Sequence, residues 1–499
     1  MLVTAPYDEM SVGMRQLNQS RFRRNSRSAG ALCRFEPLEG RRLFSTTFYV
    51  SPRGNDANAG TDLQHAWRHI QQAMNAATPG STVIVEPGVY REKLTVNVSG
   101  DAVNGFTTFQ AKGRVTIDGR GVAGSDIINL NDQNYIQIVG FNIQNDLSVT
   151  DGSGIRLNGH DDHITLQGNT IHNITGIRAT GISAYGADPI NGISNLVIDG
   201  NQIYNTQPSP SETLTVNGNV HEFTIQNNYI HDTNNIGIDC VGGEGVSSNP
   251  ATDFARNGEV SGNKVTRVHF AGNGDGAGII VDGGQNIVVE RNSSWANDVG
   301  IEVKAIQAGA VSSGVIIRDN NVFANRGPGI SIGDAETAAG TVRNCQVTNN
   351  LLFHDETGRG NSDGELRMQI GFNNSFENNV IDANRGMLLI DGQSGSSTNT
   401  SNYNLFFAPS GTSNALFAWN GFPYTGLSLF QSGAMQDTNS IFANPLLLNP
   451  FSLRPRLSVR SPVVNAGDPN YIVGAGETDF NGKPRVLGSQ VDIGPVEIR

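Results

Sequence analysis

From about residue 110 the chain alternates short Val/Ile-rich runs with Gly- and Asn-rich turns, and one phrase keeps returning: "GNTIH", "GNQIY", "NNYIH", "GNKVT", "RNSSW", "DNNVF", "NNLLF" and "NNVID". Aligning these puts Asn169, Asn201, Asn228, Asn263, Asn292, Asn320, Asn350 and Asn379 in one slot, with successive gaps of 32, 27, 35, 29, 28, 30 and 29 residues. A fixed period of roughly 20–50 residues marks a solenoid, propeller or array. Short β-branched alternations broken by Gly and Asn exclude helical repeats. The expected fold is all-β, a parallel β-helix whose coils stack about 4.8 Å apart. The Asn slot reads as turn architecture, because Asn tolerates left-handed backbone and its amide can bond to the next amide along the stack.

Ahead of the repeats, Trp67, Ile70, Met74 and Ala77 recur at helical spacing in "LQHAWRHIQQAMNAA". This predicts one amphipathic helix stopped by Pro79-Gly80, and "STVIVEPGVYRE" after it predicts two short strands around a turn. A helix at this place would cover the open edge and apolar end of the first coil. Beyond Asn379 the pattern loosens, and residues 436–499 are expected to cap the last coil. The chain then divides into a basic arm at 1–45, a capped β-helix at 46–435 and a C-terminal capping segment at 436–499.

Strand alternation assigns the outward side chains. Between Asp239 and Asp334 the phrases "GIDCVGG", "GIIVDGG", "GIEVKA" and "GISIGD" follow one another. Stacking them, with "GIRLN" and "GISAY" before them, gives two outward columns. One reads Arg156, Ser183, Thr215, Asp239, Ile280, Glu302, Ser331, and the other Asn158, Tyr185, Asn217, Val241, Asp282, Lys304. In this register Asp282 and Lys304 touch as an ion pair, and Asp239 and Glu302 lie two coils, about 9.6 Å, apart. Carboxyl groups roughly 6.5–9.5 Å apart suit an inverting glycosidase, with an acid on one side of the bond and a base on the other. Asp239, Asp282, Glu302 and Lys304 are thus the candidate catalytic residues. The alternative reading of the same acids is a solvated surface ladder. Two loops, "VGGEGVSSNPATDFARNGEVS" and "VHFAGNGDGAG", are long enough to wall a groove across this face. Arg156 and Tyr185 on the face, with Glu244 and Arg256 from the first loop, are the candidate substrate contacts.

Sixty glycines, 37% hydrophobic and 7% aromatic residues suit the thin core of a solenoid of 499 residues. A formal charge of -12 argues against nucleic acid as a partner. Cys33, Cys240 and Cys345 are too few for a disulfide framework, and the last two read as buried free thiols. No apolar run approaches the roughly 20 residues of a membrane span. A monomer is expected.

Three stretches carry a resemblance. "FEPLEGRRLFS", in the Arg-rich arm, resembles the LEPR-XLL motif of exported planctomycete proteins, with Gly40 in place of its second proline, and implies a secreted or cell-surface protein. Residues 46–100 resemble the N-terminal cap of secreted right-handed parallel β-helix proteins. "DTNSIFANPLL", "SPVVNAGDPN" and "TDFNGKPRVLGSQVDIGPVEIR" resemble the C-terminal segment sometimes called choice-of-anchor Q. Taken together the chain resembles the family 9 polysaccharide lyases, the pectate lyases. That family binds calcium through Asp residues of a "DG" and a "DDGxD" strand and takes its base from the lysine of an "NGxK" strand. Here "NDVGIE" matches at Asp298 and Glu302, with Val299 replacing one ligand, Asp275 matches the first motif only in a slipped register that leaves Ala277 in the aligned place, and Ser331 stands where the lysine belongs. The resemblance implies a uronate polysaccharide substrate, β-elimination, and Ca2+ held by Asp275, Asp298 and Glu302. Lys304 is the substitute base. The alternatives are an inverting hydrolase using Asp239, Asp282 and Glu302, and a non-catalytic glycan-binding β-helix protein.

Overall fold

The computed structural model describes residues 46–270, 276–334, 340–358, 364–384, 390–392 and 398–499; the basic arm and Asp275 lie outside them. Each coil of the described chain contributes strands to three long parallel sheets of 17, 11 and 13 strands. Partners are successive coils, as in Ile238↔Ile279↔Ile301↔Ile330↔Leu366. The interior is one continuous stack of Ile, Val and Leu, with Cys240 and Cys345 buried in it as free thiols.

The Asn slot is a ladder. Asn169, Asn201, Asn228, Asn263, Asn292, Asn320, Asn350 and Asn379 are at most 1% exposed. In each step one asparagine Oδ1 accepts both the backbone N–H and the side-chain Nδ2 of the previous one, as from Asn263 to Asn292 at 2.8 and 3.0 Å, and the run ends on Asn404. The ladder residues themselves are not left-handed. The positive φ belongs to the residue before each one, Gly168, Gly200, Asn227, Gly262, Arg291, Asp319, Asn349 and Asn378. That residue turns the chain so that the next amide points inward. A second, shorter ladder runs Asn297, Asn325, Asp355 at the next corner.

The N-terminal helix covers Ile70–Ala76 alone, shorter than its periodicity predicts. Trp67 belongs to the chain before it, bridging to Val50, with its indole Nε1 donating to Asn58 O at 2.9 Å. The expected face is nevertheless inward: Trp67, Ile70, Met74 and Ala77 are all buried. "STVIVEPGVYRE" forms Thr82–Val85 and Gly88–Tyr90.

At the other end the cap comes earlier than expected. The hairpin Leu416–Trp419/Phe422–Thr425 and the helix Leu427–Ala434 close the core, with Phe417 stacked on Phe430 at 4.8 Å and edge-on to Phe406 at 5.2 Å. The segment after it pairs with the last coil at Ile441–Phe442 and then lies along the flank of the helix. Leu457, Val463, Ile493 and Val496 cover Phe323, Leu351, Phe353 and Val380 on the outside of the 13-stranded sheet. Arg485, fully buried, bridges Asp319 of the coils and Glu497 at 2.7 and 3.0 Å. The expected end cap is therefore a lateral strap, because its apolar residues match an outward apolar column instead of the open end.

Candidate functional site

The outward columns of the 11-stranded sheet stand as alternation predicts. Arg156, Ser183, Thr215, Asp239, Ile280, Glu302 and Ser331 are in one register, extended by Arg367. Asn158, Tyr185, Asn217 and Val241 form part of the second, as do Asp282 and Lys304. Asp239 and Glu302 are two coils apart with Ile280 between them.

The face is covered, contrary to the expectation of a solvent-facing ladder. Asp239 is 2% exposed, Asp282 5%, Glu302 6% and Ile280 0%. Ile280 packs with Ile236, Ala277 and Val299 into a small apolar cluster on this outer side. Two loops fold in from the flank. In the first, Asp253 accepts from Gly245 N and Ser247 N at 2.6 and 2.8 Å, and Glu244 accepts from Asn217 Nδ2 at 2.7 Å, which ties the loop to the face. The second is not the expected 268–278 loop, of which residues 271–275 lie outside the described residues, but residues 305–310, where Asp282 accepts the Ile306 N–H at 2.8 Å. The loops meet where Gly243 lies so close to Ala310 that a Cβ would come within 2.9 Å of its methyl, and Gly243 has φ +86.

Two kinds of carboxyl group result. Asp239 has its pKa raised well above the ordinary value, first by burial and then by Glu212 and Asp282. Its Oδ1 has no hydrogen-bond partner, and neither does Asn217 Oδ1. Glu212 keeps partial exposure as a residue, but its carboxyl is packed in, and burial with the Glu244 charge pushes it up to about 8. Asp282 is pushed up to about 7 by burial, against the lowering effects of the Ile306 N–H and Lys304. Glu302 is the opposite case: Lys304 Nζ lies 3.0 Å from Oε2, and Arg367 Nη2 3.5 Å from Oε1. Arg367 Nε also donates to Ser331 Oγ at 3.0 Å.

This corrects the pairing read from the columns. Lys304 is aligned with Asp282 across the coils, yet its ammonium reaches back along its own strand to Glu302. Its pKa is raised, because Glu302, Asp282 and Asp239 together outweigh its burial. Glu212 and Arg367 were not among the sequence candidates. Glu212 precedes the "TLTVN" phrase by one turn of the corner, and Arg367 sits in "GELRMQI", where the Gly-Ile-x-Ile signature is gone; aligning "LRM" under "ISI" would have found it.

Of the other candidates, Asp298 lies at the corner before the strand Val299–Lys304. Its Oδ1 accepts from His269 Nδ1 and Arg326 Nη1 at 2.9 and 3.1 Å, and its Oδ2 from the N–H groups of Phe270 and Gly276 at 2.7 and 3.0 Å. With both oxygens occupied it does not fit a cation ligand. Among the described residues no three His, Cys, Asp or Glu side chains converge as a metal-binding set. Arg156 is three coils from Asp239, held by Asp126 and Asp151 at 2.8 and 2.5 Å with its guanidinium over the Tyr185 ring. Burial pushes Tyr185 up to about 12. Arg256 belongs to the neighbouring 17-stranded sheet, where it donates to Asn219 Oδ1 at 2.9 Å.

Comparisons with known proteins agree with this architecture. A model of the right handed beta helix region matches residues 218–351, which fixes the hand of the solenoid. The crystal structure of pectate lyase Pel9A superposes with a TM-score of 0.50 at 16% identity, covering 91% of this chain and 96% of its own. The A-module of the Azotobacter vinelandii mannuronan C-5 epimerase AlgE6 gives 0.49 at 14%, over 75% of this chain and 94% of its own. At such identities the likeness is one of fold. The uncharacterized protein YwoF of Bacillus subtilis (strain 168) is 32% identical over 439 residues, 83% of this chain and 92% of its own length. A right-handed parallel β-helix throughout its repeats, the chain belongs to the same family as YwoF.

Proposed function

We propose that the chain cleaves an extracellular polysaccharide by hydrolysis, with Asp239 as general acid and Glu302 as general base. One observation carries this reading: in a single column, a carboxyl whose surroundings hold its proton stands two coils from a carboxylate met by two cations. Two coils correspond to about 9.6 Å of backbone, close to the upper end of the roughly 6.5–9.5 Å that leaves room for a water between acid and base. With the loops that meet at Gly243 and Ala310 drawn off the face, where they now bury Asp239 and Ile280, Asp239 would protonate the glycosidic oxygen, and Glu302 would take a proton from the attacking water on the opposite face of the sugar. Lys304 and Arg367, both against Glu302, give the face a cationic pole suited to a uronate carboxylate. Asp282 anchors the loop at Ile306 and raises the proton affinity of Asp239.

β-Elimination draws less support from this geometry. It needs a base free of its proton beside a neutralised carboxylate, whereas Lys304 is held as an ammonium by Glu302. No step is assigned to calcium, since Asp298 has no oxygen to offer it. The location outside the cell rests on the motif in the arm, and reporter fusions of residues 1–45 would test it.

The decisive assay follows reducing ends and ultraviolet absorbance on uronate and neutral polysaccharides, with and without calcium. Hydrolysis gives new reducing ends without the absorbance of unsaturated products. Asp239→Asn and Glu302→Gln should each lower kcat by about 10²–10⁴. Unsaturated products would move the chain to the lyases, and turnover unaffected by both substitutions would leave a glycan-binding scaffold.

A further inference from the structure

A second site is built on a different sheet. Between the outside of the 13-stranded sheet and the C-terminal strap lies a groove of ≈ 780 Å³, bounded by Lys264, Arg291 and Ser293 on the coils and by Arg454, Phe480 and Asn481 on the strap. Lys264 and Ser293 are register partners in one outward column, and Arg291 stands at the left-handed position of the turn before Ser293. The opposite wall is fastened down. Asn321 Nδ2 donates to Ser452 O at 2.8 Å, the Phe451 ring meets Phe353 edge-on at 4.9 Å, and Arg291 Nη1 donates to Thr478 Oγ1 at 2.7 Å.

The charge in this groove runs against that of the chain, whose net value is -12. Arg291 is compensated by Glu290 and, at 3.6 Å, by Glu259. Lys264 and Arg454 are exposed, and among the described residues neither has an ion-pair partner. Two uncompensated cations therefore face each other across a cleft that also offers the exposed Asn481 amide and one partly exposed ring, Phe480.

We infer that the groove binds a short stretch of anionic saccharide, one bearing carboxylate or sulfate groups. Two free cations match the charge of a few acidic sugars, the Asn481 amide suits sugar hydroxyls, and the ring suits a sugar face. A nucleic-acid backbone would call for a longer basic track. Binding here needs no chemistry at Asp239, so it stands or falls apart from the hydrolytic reading.

Isothermal titration of the full chain with hexagalacturonate tests it. The expected result is saturable binding that weakens with added salt, together with an affinity loss of about tenfold or more in the Lys264→Ser/Arg454→Ser double variant and an intermediate loss in each single variant. Because both side chains are exposed, the melting temperature should not change, and measuring it separates lost contacts from lost fold. The inference is overturned by absent binding, by unchanged affinity in the double variant, by equal affinity for a neutral xylo-oligosaccharide, or by tighter binding of a single-stranded oligonucleotide of equal charge.

Discussion

The Asn ladder and the acidic column are both stacks of buried polar side chains, one residue per coil or nearly so, and they differ in one respect. Along the ladder every amide is used: Asn292 accepts from Asn263 N and Nδ2 and donates to Val260 O and Asn320 Oδ1. In the acidic column Asp239 Oδ1 is buried with nothing to bond, and burial raises the proton affinity of Asp239, Glu212 and Asp282, that of Asp239 further through the charges of the other two. A satisfied buried network stabilises a fold, whereas an unsatisfied one costs stability and is kept where chemistry needs it. Burial alone therefore does not separate these two stacks. The state of their hydrogen bonds does.

The sharpest way to break this comparison is to neutralise one member of each stack. Asp239→Asn should lose turnover by about 10²–10⁴ while urea unfolding at neutral pH shows no loss of stability, because the proton-holding carboxyl is replaced by a neutral amide. Lost stability with intact turnover would make Asp239 part of the framework. Asn292→Ala should do the reverse, costing about 2–4 kcal/mol because Asn263 N and Val260 O lose the side chain that met them, while Asn263 Nδ2 keeps Ile225 O and Asn320 Oδ1 keeps the residue 292 N–H, with the specific activity of the remaining folded protein unchanged.

Glu212→Gln comes next. The folded state holds the Glu212 proton more tightly than the unfolded chain, so the wild type loses stability as pH rises from the ordinary glutamate value of 4.5 to about 8 and loses none below that window. The variant escapes this loss. Its advantage in thermal melts should be absent at acid pH and grow to about 2 kcal/mol above pH 8, a value reduced for the residual exposure of the side chain. A constant difference across the range would mean that the carboxyl is not shifted. The smallest effect belongs to Asp298→Asn. The amide oxygen still accepts two bonds, and the lost partners His269 and Arg326 are 38% and 59% exposed as side chains, so about 1 kcal/mol is expected. Any calcium-dependent rise in melting temperature should be the same in both proteins; a rise abolished by the substitution would return Asp298 to the metal ligands.

Much of this was legible in the sequence because a β-helix repeats its backbone. The Asn slot gave the coil register, and alternation gave the columns, including Asp239 in line with Glu302 and Asp282 in line with Lys304. What alternation cannot carry is where a long side chain goes once it leaves the backbone. Lys304 has two acids in reach and turns to the one on its own strand. Nor can it tell whether an outward face is wet, since the covers over Asp239 come from loops whose paths no period dictates. The C-terminal segment was misplaced for a related reason: its apolar residues suited an end cap and a flank equally well, and only the outward Phe323 and Phe353 decide between them. Glu212 and Arg367 were hidden because their coils depart from the signature phrase.

The strap formed by the last residues changes how this molecule should come apart. A stack of coils touching only their neighbours melts piecemeal, from its ends or at its weakest joint. Here Arg485 grips Asp319, Asn349 donates to Asp492 O at 3.2 Å, and Gly494 N donates to the carbonyl of Asn378 at 2.7 Å, so one segment is stitched across three successive coils. No coil between Asp319 and Asn378 can open without breaking the seam. These three coils should therefore unfold as a single cooperative block, while the coils ahead of them keep the looser, neighbour-by-neighbour behaviour of an ordinary repeat.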